Sequence, residues 1–208
     1  MRCGPKARRA GSCGDCSRGR TKMRFDPIGD CGAYRVYPPV RRDDRGSFQR
    51  TWCAVAFEEF GITFKAVQGN SSLTKFRGIV RGMHFQRAPR EDAKVIRCSR
   101  GRIHDVIVDL RADSGTRGHV YVNELDGDEG TMLFVPAGFA HGFQTLSDNT
   151  VVEYLMGESY VPELYDGFRY DDEAVGISWP EPVRGISEND LRWSSLAERF
   201  PWFRAEGA

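Results

Sequence analysis

No run of this chain approaches the roughly 20 apolar residues that cross a bilayer, so no helical membrane span is expected. There is no strong charge of one sign: 30 Lys and Arg stand against 29 Asp and Glu, a formal net charge of +1. That balance is uneven. Residues 1–22 carry seven Lys or Arg and one acid, Asp15, a net of +6, which leaves −5 on the remainder. A mildly acidic body gives no electrostatic reason to bind nucleic acid. Cysteine is also sparse. Six in 208 residues do not make a disulfide scaffold, which points to a reducing cytoplasm. No internal repeat and no second domain is visible, and the length is enough for one domain with its own core.

Residues 1–22 lack apolar periodicity and the apolar middle of a secretory signal. Cys13 and Cys16, with Cys3 nearby, fall short of the four ligands of a structural zinc site. The expectation is a disordered basic tail. Met23, which opens the first strand-like stretch, is an alternative start of translation. Residues 23–208 are then expected to form a single domain.

In that body the pattern is short strands between turns. Val106, Val108 and Leu110 alternate with Asp105, Ile107 and Asp109, and Val120 and Val122 with Tyr121 and Asn123. Met132-Leu133-Phe134-Val135, Val151-Val152-Glu153-Tyr154 and the run holding Cys98 are further strands, with Cys98 as a buried free thiol. Arg45-Gly46, Arg77-Gly78, Arg100-Gly101 and Asp126-Gly127-Asp128 mark turns. Helices are few: one at residues 54–60, and one or two within 187–200. Many short strands at even spacing predict an all-β, antiparallel jelly-roll barrel.

Two motifs carry chemistry. Gly78 and His84 keep the G-x5-H spacing of a cupin metal site, but Gln86 stands where a second His belongs, and Lys94 follows. Pro136, Gly138 and His141 complete an intact P-x-G-x-x-H. Two His are too few for a firm metal site, and an ammonium repels a divalent cation. No metal and no cofactor is expected. His84 is the natural base for a proton beside a carbonyl, and Lys94 can hold the enolate charge. A Tyr on the opposite side can return the proton, and Tyr154 lies on an expected inner strand.

The chain resembles the dTDP-4-dehydrorhamnose 3,5-epimerase family from Met23 to about Trp193. The resemblance rests on Asp44-Arg45-Gly46, Gln68-Gly69-Asn70, Arg81-Gly82-Met83-His84-Phe85-Gln86, Ala93-Lys94-Val95, residues 105–111, residues 136–143, Trp179-Pro180 and Ile186-Ser187-Glu188-Asn189-Asp190. It implies a cofactor-free, cupin-like homodimer acting on a nucleotide-diphosphate 4-keto sugar. By the same resemblance His84 is the base, Asp190 its partner, Lys94 the group beside the 4-keto oxygen and Tyr154 the proton donor. Arg45, Gln68, Asn70, Arg81 and His141 match substrate-binding positions. Guanidinium groups suit a diphosphate. Two positions depart from the family pattern: Arg50 and Tyr165 stand where Glu is frequent.

Taken singly, several of these residues have plainer readings. A strand His is usually a satisfied core residue, a barrel Tyr is usually packing, and a loop Asp is usually a helix cap. Tyr160 is a rival donor to Tyr154. Asp171-Asp172 reads as a solvated turn, and Trp193, Phe200, Trp202 and Phe203 as packing. A 3,4-ketoisomerase, a metal cupin and a non-catalytic sugar-binding module are the alternative functions.

Overall fold

A computed structural model describes residues 22–200. The expectations for residues 1–21, with Cys3, Cys13 and Cys16, and for Trp202 and Phe203 lie outside the described residues.

The chain opens with β1 (Arg24–Pro27), β2 (Tyr34–Tyr37), the hairpin β3 (Val40–Asp43) and β4 (Gly46–Gln49), and helix α1 (Ala54–Glu59). The main strands follow: β5 (Gln68–Thr74), β6 (Val80–Gln86), β7 (Lys94–Arg100), β8 (Arg102–Asp109), β9 (Val120–Asp126), β10 (Met132–Val135), β11 (Phe139–Thr145), β12 (Thr150–Met156) and β13 (Tyr165–Gly167). Two single-turn helices close the described chain, α2 (Glu188–Leu191) and α3 (Leu196–Arg199). One sheet has the order β1-β2-β10-β7-β12-β5 and faces a second with the order β13-β6-β11-β8-β9. Neighbours are antiparallel, so the architecture is the expected jelly roll. The hairpin β3–β4 joins neither sheet.

The space between the sheets holds Ile96, Cys98, Leu133, Val135 and Val152 from one side and Ile103, Ile107, Leu125, Phe139 and Phe143 from the other. Strand alternation puts Asp105 and Asp109 on that same inward face, and both are fully buried. The outward residues Val106 and Val108 are covered as well, by Phe168, Leu196 and the chain around Trp179. On the other sheet, Val36, Val95, Met132 and Phe134 pack under Phe57 of α1. Helix α1 has only six residues and no side-chain cap, so packing holds it. Burying one Phe such as Phe57 contributes about 2–3 kcal/mol.

Cys98 is a buried free thiol, as expected, and burial pushes it up to about 11. Asp172 corrects the reading of a solvated turn. It is buried and accepts from Leu196 N at 2.6 Å, which fixes the start of α3. Only Asp171 is solvated, paired with Arg169 at 2.7 Å.

Candidate active site

A cavity of about 410 Å3 opens at one end of the barrel. Strands β5, β6, β7, β11 and β12 supply its walls, and the segment around α2 closes one side. Eight of the nine expected site residues line it: His84, Lys94, Tyr154, Asp190, Gln68, Asn70, Arg81 and His141.

Strands β6 and β11 must approach closely for this. His84 and His141 are register partners, and an irregularity in β11 follows between His141 and Phe143. Gly82 and Gly142 make the approach possible. A Cβ on Gly82, at φ +115°, would stand 2.7 Å from Gly142 Cα. One on Gly142 would meet Met83 Sδ at 2.5 Å and Arg81 O at 2.8 Å. Only glycine fits both places.

His84 Nε2 lies 2.6 Å from Asp190 Oδ1, which leaves Nδ1 to act on a ligand. Asp190 arrives from more than 100 residues away on α2. Ser187 is the N-cap there, and its hydroxyl accepts from Asp190 N at 3.1 Å. The Asp190 carboxylate is therefore free of capping. Its buried position raises its pKa, but the hydrogen bond and charge of His84, with Gly82 N and Ser187, outweigh that and leave it below the ordinary 3.8. The second histidine has its own carboxylate: His141 Nε2 lies 2.6 Å from Asp105 Oδ2, with both groups buried.

Lys94 is buried and pairs with Asp92 at 3.0 Å. Tyr154 sits on β12 with its ring 6.0 Å from that of His141. Burial holds its phenol above the ordinary value of 10.0, Asp105 adds to this, and Arg81 opposes it. Arg81 Nε donates to Thr74 Oγ1 at 3.0 Å. Gln68 Nε2 donates to Asn70 Oδ1 at 3.1 Å. Gln86 is committed to structure: it receives Val161 N at 2.8 Å and donates to Ser159 O at 3.2 Å. Among the described residues no three His, Cys, Asp or Glu side chains come together as a metal-binding group.

Arg45 stands apart from the other eight. It lies on the β3–β4 hairpin with its side chain 90% exposed, paired with Asp43 at 2.7 Å. It does not line the cavity of its own chain, because the hairpin that carries it leaves both sheets. Arg50 also lies away from this cavity, beside Phe48 and α1. Tyr165 is inside it, its ring 5.4 Å from His84. Tyr160 lines the exposed rim, with its ring 5.3 Å from that of Tyr165. Trp193, expected as packing alone, also lines the cavity and meets Tyr165 at 6.3 Å. Sequence reading missed Asp105, Asp92 and Trp193. A signal existed for Asp105, a carboxylate recurring with Asp109 inside an apolar strand. One existed for Asp92 in its closeness to Lys94.

A jelly roll with a His–carboxylate pair, a buried Lys and a Tyr in one cavity defines a class, the cupin-like isomerases. Comparison with known proteins makes this specific. The family model described as dTDP-4-dehydrorhamnose 3,5-epimerase matches residues 31–198. The dTDP-4-dehydrorhamnose 3,5-epimerase of Methanothermobacter thermautotrophicus is 42% identical over 180 residues, covering 85% of this chain and 96% of its own. The dTDP-4-dehydrorhamnose 3-epimerase of Streptomyces niveus is 34% identical, covering 85% of each. The crystal structure of the 3,5-epimerase from Bacillus anthracis, with TDP and PPi bound, superposes with a TM-score of 0.80 at 36% identity. It covers 84% of this chain and 99% of that one. The chain belongs to the dTDP-4-dehydrorhamnose 3,5-epimerase family.

Proposed function

We propose that this chain inverts C3, C5 or both of a nucleotide-linked 4-keto-6-deoxy sugar of the dTDP type, without a cofactor. The observation that carries the reading is the His84–Asp190 contact of 2.6 Å in the same cavity as Lys94 and Tyr154. A proton beside the 4-keto group passes to His84, whose ring Asp190 orients and whose new charge it balances. The electron pair moves onto the carbonyl oxygen, where the Lys94 ammonium stabilises it. Tyr154, a phenol kept protonated by burial, returns a proton from the other face. Gln68, Asn70, Arg81 and His141 bind substrate. Arg81 suits the diphosphate because a guanidinium meets phosphate oxygens in pairs.

The protein acts in the cytoplasm as a homodimer. Among the described residues, strand β5, with Gln68 and Asn70, is an edge of the six-stranded sheet, while the β3–β4 hairpin forms a two-stranded sheet that joins neither of the larger ones. A hairpin from a second copy laid on that edge brings its Arg45 toward the cavity. Which centres invert is read by running the reaction in D2O. Deuterium at C3 and C5 is expected for double inversion and at C3 alone for single inversion. No incorporation at either carbon overturns the reading. Tyr154→Phe is expected to keep exchange and lose inversion.

A further inference from the structure

The reaction above leaves the buried carboxylate of Asp92, on the cavity wall, without a task. Two residues before Lys94, Asp92 turns its carboxylate back onto it: Oδ2 lies 3.0 Å from Lys94 Nζ, with the side chains 9% and 6% exposed. Both line the cavity. Among the described residues neither side chain makes another hydrogen bond or ion pair. The backbone between them is pinned. Gly157 N donates to Ala93 O at 2.7 Å, and a Cβ on Gly157 would stand 2.9 Å from the Phe64 ring. The following loop is tied to β6 through Gln86.

Two charges removed from water are a weak device for stability, since an apolar pair of like volume usually does as well or better. A buried pair on the wall of a reaction cavity therefore points to work done there. An ammonium has three N–H donors on a flexible stem. Asp92 takes one and so restricts where the other two aim. We propose that Asp92 is the positioning residue for Lys94, holding the ammonium where its free N–H groups meet the enolate oxygen. Asp92 does not touch the reacting atoms. The inference rests on the reading of Lys94 given above.

A double-mutant cycle on the full chain tests it: wild type, Asp92→Asn, Lys94→Met and the double variant, with a dTDP-4-keto-6-deoxy sugar in D2O. The readouts are kcat, KM, deuterium entry and melting temperature. Asn keeps the shape and removes the charge. Asp92→Asn is expected to lower kcat and deuterium entry together by roughly ten- to hundredfold, with KM within about threefold. The double variant is expected to be no slower than Lys94→Met alone. Asp92→Glu is expected to recover part of kcat, and it carries the test should Asp92→Asn not fold. A purely structural Asp92 gives a lower melting temperature with kcat kept, or losses that multiply in the double variant, and either result overturns the proposal. Lys94→Met at the wild-type rate also overturns it, because nothing is then left to position. Failure of the epimerase reading looks different: the wild type itself incorporates no deuterium, and the proposal falls with it.

Discussion

Asp190 illustrates how one residue is released from helix capping by its neighbour. At the start of a helix an Asp is normally consumed as the cap. Ser187 takes that position, and the Asp190 carboxylate turns to His84 instead. Asp190→Asn preserves the volume but removes the charge that balances a protonated imidazole. Its kcat is expected to fall by a factor of about 10²–10⁴, with the fold kept, as steady-state kinetics and circular dichroism would report. Wild-type kcat in this variant would remove Asp190 from the mechanism. Sequence spacing alone could not tell the cap from the partner, because the difference is where a side chain points. The same limit hid what Asp105 pairs with, although its recurrence with Asp109 marked it. Its partner His141 is on the next strand over and slightly out of register, since Asp105 itself faces Phe143. A pairing set by sheet register leaves no local trace. His84 drew notice because polar neighbours accompany it in a short stretch of sequence, and two of these, Gln86 and Lys94, are buried, which is costly without purpose.

Among the elements, β6 and β11 decide the site. Their close approach at Gly82 and Gly142 sets His84 opposite His141. Gly142→Ala drives a methyl group into Met83 Sδ and Arg81 O, so the strands must part. A loss of roughly 1–3 kcal/mol in urea unfolding is expected, with a fall in kcat because both histidines move. Gly115→Ala is the control: nothing lies within 4 Å of the added carbon. Equal behaviour of the two variants would show that the approach has slack. The strands themselves were readable from alternation, and the helices at 54–60 and 187–200 from their composition. The orientation of β8 was less so. Alternation normally sends carboxylates to solvent, but both faces of this sheet are covered, and Asp105 and Asp109 point inward. The β3–β4 hairpin gave no signal of its separation, because nothing local distinguishes a hairpin that joins a larger sheet from one that stands alone.

At the scale of the whole molecule, acid stability and assembly can each be measured. Asp109 is buried beneath Arg111, Ser114 and Thr116. Burial alone would raise its pKa, but those hydrogen bonds lower it from 3.8 to about 2. A depressed carboxylate stabilises the fold above its unfolded value and loses that contribution as pH falls toward the folded one. About 2 kcal/mol is therefore expected to disappear between roughly pH 4 and pH 2. Asp109→Asn should be less stable at pH 7 and show a shallower acid limb in urea titrations. An unchanged limb would place that stability elsewhere. Assembly makes the last prediction. Phe48 on the hairpin is 66% exposed and Leu73 on the β5 edge 51%, while Arg45 on the same hairpin stands away from its own cavity. Among the described residues the β5 edge and the separate two-stranded β3–β4 hairpin each carry an unpaired edge, a liability alone and complementary together. Light scattering is expected to give twice the 23.5 kDa chain mass, and Phe48→Asp to shift it toward one. Arg45→Ala should leave the dimer intact and raise KM about tenfold with kcat little changed, as for a lost phosphate contact. A fully active monomer would separate Arg45 from the site and leave Arg81 as the guanidinium facing the diphosphate.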